Sequence, residues 1–379
     1  MTAKAGKAGS GTFRKGLQGN AFFLPFLALA AGLALTTCEE AIGHLSISIA
    51  VAFSAGALVL AFATVFAALR HAEAIAHHVG EPFGTLVLTV CVTAIEVSVI
   101  VAVMLSGKEN PTLVRESVFS TVIIVCGGVL GICLTLGGLR HTHQELKRQG
   151  TSALLSVVVA LSVLTLILPD YTLTSVSGTY SPLQLVFVSL LCLLLYGSFV
   201  FAQMTRHRDD FLDDSLTLAQ DDHASGVPGL GISMFLLGVS LVSIVMLAEY
   251  VATGLEHGLA ALRIGQTDAI IGAFIAMLVL MPETLAAIRA SMRNELQRSL
   301  NIALGSACAT IGLTVPIVAA VSMLTGTRLT LGLEPGDTVL LVLVLGISIL
   351  SFATGRTNVL TGLVHLVVFV AYLMLIAIP

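Results

Sequence analysis

Two glutamates lie within long apolar stretches of the sequence, where a charged group is costly. Glu96 stands near the centre of the apolar run 84–106, and Glu283 lies in the run 269–288. A lone carboxylate at the middle of a membrane costs about 3 kcal/mol or more, so residues of this kind usually serve a function. If two such carboxylates meet among hydroxyl and carbonyl oxygens, they form a hard oxygen site suited to Ca²⁺ or Na⁺ rather than to soft metals.

Oxygen-bearing neighbours accompany both glutamates. Thr93 precedes Glu96 by about one helical turn, and Thr284 directly follows Glu283. We predict that both hydroxyl groups contribute to a cation shell. Pro282 has no backbone N–H, so it is expected to break its helix and leave a carbonyl oxygen free near Glu283. Broken helices at the membrane midplane expose carbonyl oxygens to cations in many transporters.

The apolar runs contain no lysine or arginine that could neutralise these carboxylates. Without a cation, the two carboxyl groups are therefore expected to hold protons, because burial and mutual repulsion both disfavour their charged forms. Cation and proton then compete for the same oxygens. That competition is the physical basis of antiport.

The elements that must position these residues are membrane-spanning helices, each of which needs about 20 apolar residues. We predict eleven of them in the runs 21–37, 46–69, 84–106, 117–139, 152–168, 183–203, 230–253, 269–288, 300–324, 338–354 and 358–377. The composition agrees, since 56% of the 379 residues are hydrophobic and only 11% are charged. These values exclude an ordinary soluble enzyme, a disordered chain and a nucleic-acid binder. The expected fold class is an all-α polytopic membrane protein.

The basic residues orient these helices. With the N-terminus in the cytoplasm, fourteen of the eighteen Lys and Arg residues fall in inside segments and four in outside segments. This bias follows the positive-inside rule, and the odd number of helices places the C-terminus outside.

The longest polar connection, 204–229, divides the chain. We predict a cytoplasmic N-terminus and first helix (1–45), a five-helix repeat (46–203), an acidic cytoplasmic linker (204–229) and a second five-helix repeat (230–379). A five-helix unit has odd parity, so two in tandem insert with opposite orientations, an arrangement common among secondary transporters. The linker aspartates lack the spacing of a calcium loop, which favours a solvated linker over a cation sensor.

Two stretches of sequence resemble a known family. Residues 80–86, Gly-Glu-Pro-Phe-Gly-Thr-Leu, leading to Ile-Glu-Val-Ser at 95–98, resemble the first repeat of the bacterial ChaA-type antiporters. Residues 282–306, from Pro-Glu through Asn-Glu-Leu-Gln-Arg-Ser to Gly-Ser, resemble the second repeat. The family exchanges calcium or sodium for protons within the calcium/cation antiporter superfamily. The resemblance implies a bacterial inner-membrane protein whose ion- and proton-binding glutamates are Glu96 and Glu283.

The sequence also departs from related vacuolar exchangers, which carry Gly-Asn-Ala before each glutamate. Here the corresponding residues are Val-Thr-Ala-Ile at 92–95 and Leu-Met-Pro at 280–282, and Thr284 replaces the histidine that follows their second glutamate. The missing amide ligands leave Na⁺ and K⁺ beside Ca²⁺ as substrates. A helix-7 acid of the vacuolar exchangers corresponds to Glu249.

We therefore predict a transporter that exchanges a cation, Ca²⁺ foremost and Na⁺ next, for protons by alternating access. A Na⁺ or K⁺/proton antiporter is the alternative. A cation channel, which would be expected to show a pore loop or a ring of acids, is a weaker alternative, because the design in two halves argues against it. No His-Glu-x-x-His motif or similar constellation indicates an enzyme. We expect no cofactor, and as partners only inorganic cations, protons and the lipid bilayer. The sequence does not assign an oligomeric state.

Several polar residues have weaker signals. Glu73 and His77 would share a face if the second helix continues past 69, where they could gate access or sense pH. A solvated helix end is the simpler interpretation, and Glu249 is a second candidate for the access path. His365 is expected to be a hydrogen-bonded packing residue, and the Gly127-x-x-x-Gly131 spacing indicates close helix packing.

Overall fold

The structure, a computed structural model, describes residues 8–38, 47–79, 83–105, 111–173, 176–205, 208–211, 229–261 and 266–378. In the first half the helices are α1 (Ala8–Thr37), α2 (Ile47–Val79), α3 (Phe83–Leu105), α4 (Leu113–Ile123), α5 (Leu130–His141), α6 (Arg148–Ser162), α7 (Pro182–Met204) and the short α8 (Arg208–Phe211). In the second half they are α9 (Leu230–Ala261), α10 (Thr267–Met292), α11 (Leu296–Ala309), α12 (Val315–Thr325), α13 (Pro335–Phe352) and α14 (Val359–Ala377).

Wider, π-helical segments interrupt three of the membrane helices. Ile124–Val129 joins α4 to α5, and Thr310–Thr314 joins α11 to α12. Val163–Ile167 extends α6, and a 3₁₀ turn, Leu168–Tyr171, follows it. The two strands, β1 (Gln144–Glu145) and β2 (Arg356–Thr357), pair antiparallel.

The predicted fold class is confirmed. Nine helical segments of the described part are long and apolar enough to cross a membrane, and two shorter apolar helices, Phe22–Thr37 and Val90–Leu105, match the first and third predicted runs. Several predicted ends were wrong: α2 continues to Val79 rather than ending at 69, and α10 continues to Met292 rather than 288. Hydropathy marks where side chains meet lipid, whereas backbone hydrogen bonding can carry a helix into its polar flanks.

The chain forms two compact units, and each takes helices from both sequence halves. Unit 1 consists of Met1–Ile95 and Ser225–Gly258, and unit 2 of Glu96–Ala224 and Leu259–Pro379. The units therefore do not follow the predicted segments 1–45, 46–203, 204–229 and 230–379. Those segments remain a prediction about sequence repeats, and most of the acidic linker lies outside the described residues.

Within unit 1, α1 packs against α2. Pro25 lies inside α1, and its carbonyl oxygen accepts a hydrogen bond of 3.0 Å from the hydroxyl of Ser243 on α9. A side-chain hydroxyl thus ties the first helix to the second half of the chain.

Within unit 2, glycines allow helices to approach closely. A methyl group at Gly272 of α10 would lie 2.7 Å from Cβ of Glu116 on α4, and one at Gly131 of α5 would lie 2.9 Å from the Leu366 side chain of α14. The close packing predicted for the Gly127-x-x-x-Gly131 spacing is confirmed. These contacts hold α10 on α4 and α14 on α5.

The connections of unit 2 gather at two ends, as the predicted alternation requires. At one end, the amide of Thr330 bonds the carbonyl of Pro111, and the Thr112 hydroxyl donates to Asp268 at 2.6 Å. At the other end, Gln144 bonds the carbonyl of Ser291, and β1 pairs with β2. This grouping agrees with the predicted alternation, and which of the two ends faces the cytoplasm stays a prediction.

Candidate cation and proton site

Glu96 is buried in unit 2 with only 5% of its surface exposed. It lies on α3, and its Oε2 accepts a hydrogen bond of 2.7 Å from the hydroxyl of Thr310. Thr310 opens the π-helical segment between α11 and α12 and is itself buried. A residue of the first sequence half is thereby joined to one of the second, 214 positions away.

Glu283 lies on α10 and has a different environment. Its Oε2 is buried and has no hydrogen-bond partner among the residues that the structure describes. The carboxyl groups of Glu283 and Glu96 are close enough to interact electrostatically. The structure thus brings the two predicted glutamates together, one with a donor and the other with a vacant acceptor.

Pro282 does not break its helix, contrary to the expectation from sequence. α10 runs from Thr267 to Met292 with Pro282 inside it. Neighbouring helices support a membrane helix through one missing hydrogen bond, so proline is tolerated there. One part of the prediction remains. Because Pro282 has no N–H, the carbonyl of Leu278, four positions earlier, lacks the hydrogen bond that it would normally accept. The extension to Met292 also brings Glu283 closer to the middle of its helix than the predicted run had placed it.

The two predicted threonine ligands remain predictions. Thr93 is buried on α3 with 4% of its surface exposed, one turn before Glu96. The hydroxyl of Thr284 donates to the carbonyl of Leu280 at 2.8 Å, so its lone pairs stay available to a cation.

The two π-helical segments Ile124–Val129 and Thr310–Thr314 stand beside the two glutamate helices. α10, which carries Glu283, packs against the first of them, and Glu96 bonds the second. A π turn disturbs the regular i→i−4 bonding of a helix and frequently occurs at functional sites. Sequence analysis missed both segments and Thr310. The available signal was the pair of threonines, Thr310 and Thr314, in the Gly- and Ala-rich run 300–324 that follows the Glu283 run.

The family model described as sodium/calcium exchanger protein matches residues 23–205 and 232–378. The chain belongs to the sodium/calcium exchanger family. It is 42% identical to the ionic transporter y4hA of Sinorhizobium fredii over 317 residues, which are 83% of this chain and 86% of that protein. It is 34% identical to the sodium-potassium/proton antiporter ChaA of Escherichia coli over 338 residues, 87% and 90% of the two chains.

Solved structures show that the exchanger shares its fold with other antiporters. Native YfkE superposes with a TM-score of 0.66 at 16% identity, covering 93% of this chain and 99% of that one. The H⁺/Ca²⁺ exchanger CAX superposes with a TM-score of 0.64 at 14% identity, covering 94% and 88%. The resemblance to the calcium/cation antiporter superfamily is confirmed.

The second-rank residues of the exchanger lie in unit 1. α2 continues through Glu73 and His77, and both side chains are exposed. Glu249 lies on α9 and has interaction partners of its own. The gating and access roles of these three residues stay predictions.

His365 is a packing residue, as expected. It is fully buried, with Nδ1 2.5 Å from the Cys126 carbonyl oxygen and Nε2 3.0 Å from the Ser351 hydroxyl. Nδ1–H must therefore donate to the carbonyl, and the hydroxyl donates to Nε2. The sequence did not predict the contact between His365 and Ser351, which lie on neighbouring helices 14 residues apart. The contacts fasten α14 to α13 and to the first π-helical segment.

No group of three or more His, Cys, Asp or Glu side chains capable of holding a metal occurs within the described ranges. A cation bound by Glu96 and Glu283 must therefore complete its shell with hydroxyl, carbonyl or water oxygens. Ca²⁺ takes 6–8 oxygen ligands, and Na⁺ is likewise a hard ion, so oxygen donors of this kind fit both.

A cavity of about 490 Å³ opens at the end of unit 2 where α4, α10 and α13 begin. Its polar lining includes Arg115, Glu116, Asp268, Glu334 and Asp337. Arg115 donates to Glu116 from Nε at 2.8 Å and from Nη2 at 2.6 Å, and from Nη1 to the Gly332 carbonyl at 3.0 Å. Four acids against one arginine make the cavity attractive to cations.

Proposed function

We propose that this exchanger trades a cation for protons across the bacterial inner membrane, with Glu96 and Glu283 binding both in turn. The observation that supports this most is the buried Oε2 of Glu283, which has no partner among the described residues, beside the carboxyl group of Glu96. Leaving a buried polar group unsatisfied costs about 1–3 kcal/mol, and more for a charged one. A proton or a cation removes that cost, and only one of them can occupy the oxygen at a time.

Thr310 belongs to the proposed cation shell together with Thr93 and Thr284. Its hydroxyl proton points at Glu96, which leaves oxygen lone pairs for a cation and stabilises the ionised carboxylate. Glu96 and Glu283 would thus play unequal parts. The carboxyl group of Glu96 has a hydroxyl donor that favours its ionised form, whereas Oε2 of Glu283 depends on the transported species for its partner.

Ca²⁺ is the substrate we propose, because one divalent ion neutralises two carboxylates without a further acid. Na⁺ or K⁺ exchanged for protons is the alternative. It is favoured by the absence of amide residues next to the glutamates and by the sodium-potassium/proton antiporter among the relatives. Either ion would use alternating access, in which the same oxygens face one side of the membrane and then the other.

We place the N-terminus in the cytoplasm and the C-terminus outside. This orientation is supported by the distribution of Lys and Arg, and the grouping of connections at two ends of unit 2 supports the alternation that it assumes. The acidic cavity at Arg115 and Glu116 then opens to the outside. In this position it would concentrate cations near the outer ends of α4 and α10.

Everted membrane vesicles with a pH-sensitive dye test the proposal. A proton gradient is established, and CaCl₂, NaCl or KCl is then added in separate runs. A saturating, cation-dependent loss of the gradient supports antiport and ranks the ions. Cation flux that neither saturates nor moves protons would indicate a channel, and the exchanger proposal would be wrong.

A further inference from the structure

A large groove lies along the surface of unit 2 between α6 and α13. Its volume is about 1050 Å³, just above the roughly 300–1,000 Å³ that small-molecule pockets occupy. On α6 it follows one helix face through Arg148, Ser152, Leu155, Val159 and Val163. Residues 148 to 164 span about 24 Å at 1.5 Å per residue, most of the hydrocarbon thickness of a bilayer.

The groove is apolar along the membrane and polar at one end. Ile349 and Phe352 of α13 line it opposite the aliphatic side chains of α6. Arg148, Gln149 and Ser152 line the end that we assign to the cytoplasm, and all three are exposed. The division between a polar end and an apolar length matches a lipid, whose headgroup lies at the interface and whose chains lie in the core.

Arg148 has no acidic partner among the described residues. Among the residues that the structure describes, it forms no ion pair, whereas Arg356 at the same end pairs with Glu145 at 2.7 Å and Arg298 with Glu295 at 3.1 Å. The aliphatic part of the Arg148 side chain packs closely on Gly355. A methyl group added at Gly355 would lie only 2.8 Å from Arg148 Cγ. Gly355 has a φ of +77°, a backbone conformation that favours glycine. Because glycine has no side chain, the space beside it is left for the Arg148 side chain.

The N-terminal end of α6 adds positive charge at the polar end of the groove. Arg148 begins α6, and within the described part of the chain no side chain caps the free amides of this first turn. The positive end of the helix therefore adds to the arginine. An acidic ligand group placed between Arg148 and Ser152 would meet a cation, a hydroxyl group and helix amides together.

We propose that the groove between α6 and α13 binds an anionic phospholipid. The phosphate would lie on Arg148, Gln149 and Ser152, and an acyl chain would follow Leu155, Val159 and Val163. Basic pockets between membrane helices on the cytoplasmic side commonly bind anionic headgroups. The site is independent of the glutamate pair, since it lies on another surface of unit 2 and uses none of its residues.

Lipid titration of the purified exchanger in mild detergent tests this site. Phosphatidylglycerol and phosphatidylcholine with identical chains are added, and native mass spectrometry counts the bound lipids. We expect the wild-type protein to retain phosphatidylglycerol preferentially. Arg148→Ala should weaken that binding about fivefold, the effect of one basic residue near a membrane surface, and Arg148→Lys should retain most of it. Arg140→Ala removes an exposed arginine of α5 outside the groove and should change nothing.

A second variant tests the apolar part. Ser156→Phe places a ring in the groove and should reduce binding of both lipids, while an unchanged melting temperature shows that the protein remains folded. Equal affinity of the wild-type protein for the two lipids would overturn the proposal. So would equal losses in Arg148→Ala and Arg140→Ala, or a dimer that Ser156→Phe dissociates, which would assign the groove to a second copy of the chain.

Discussion

The hydroxyl of Thr310 donates a hydrogen bond of 2.7 Å to Oε2 of Glu96. This bond joins the glutamate of the first half to the π-helical segment of the second half, beside a second glutamate whose buried Oε2 has no partner among the described residues. The two carboxyl groups are thus chemically unequal. Their inequality leads to separate, measurable expectations for each residue.

Loss of either carboxyl charge should abolish exchange. Glu96→Gln and Glu283→Gln preserve side-chain size but cannot trade a proton for a cation. We expect both variants to insert normally and to show no cation-dependent dye response in everted vesicles. Glu145→Gln, which alters an exposed glutamate at the β1–β2 connection, is the matched control and should exchange at the wild-type rate. Wild-type rates in either inserted glutamine variant would refute the two-glutamate mechanism.

Thr310 should set the pH range of exchange. Thr310→Val removes a donor to the ionised Glu96 carboxylate, a bond worth about 1.5–3 kcal/mol. Glu96 then holds its proton more tightly, so the pH profile should move upward by about one unit or more. Thr310→Ser retains the donor and should restore the profile. Thr314→Val removes a buried hydroxyl of the same π-helical segment that has no hydrogen-bond partner in the described part of the chain, and it should leave the profile in place. A profile unmoved in Thr310→Val would mean that the bond is structural only.

Apparent cation affinity should depend steeply on pH. Cation and protons compete for the same carboxylates, so raising the pH lowers the half-saturating cation concentration until both groups are free. With two shared protons the limiting slope approaches about a hundredfold per pH unit, by mass action on coupled sites. Dye-reported half-saturation across about pH 6 to 9 measures this slope. A flat dependence would indicate separate sites for proton and cation.

Pro282 should affect cation affinity more than folding. In Pro282→Ala the new N–H restores the bond to the Leu278 carbonyl and withdraws that oxygen from the site. We expect a higher half-saturating cation concentration with saturated turnover less affected. Since α10 is already continuous, the melting temperature should not fall. Pro25→Ala alters a proline inside α1 and should leave affinity unchanged. An unchanged affinity together with a lower melting temperature would assign Pro282 to packing alone.

The Arg115–Glu116 pair should stabilise the fold only as a pair. Both side chains are buried, so Arg115→Met leaves an uncompensated buried carboxylate and should cost about 3 kcal/mol or more. The double variant Arg115→Met with Glu116→Leu removes both charges and should recover much of that loss. Thermal melting in detergent compares the two. If the double variant melts below the single one, Glu116 contributes to stability through other contacts.

The sequence by itself determined the membrane class, the helices and the two glutamates. Helix positions could be predicted because a bilayer imposes a length and polarity requirement on each segment separately. Glu96 and Glu283 were identifiable because any carboxylate in such a segment is costly wherever its neighbours lie. The alternation of connections between the two sides of the membrane followed from the number of helices, since each membrane-spanning helix takes the chain to the opposite side.

Only the tertiary structure decided what surrounds those glutamates. The Thr310 bond to Glu96 links residues 214 positions apart, and no local pattern specifies such a partner. Pro282 was expected to break α10, but packing keeps the helix continuous. The π-helical segments and the composition of units 1 and 2 depend on contacts between sequence halves. Hydropathy is a property of one segment, whereas hydrogen-bond partners, helix continuity and packing depend on which segments meet.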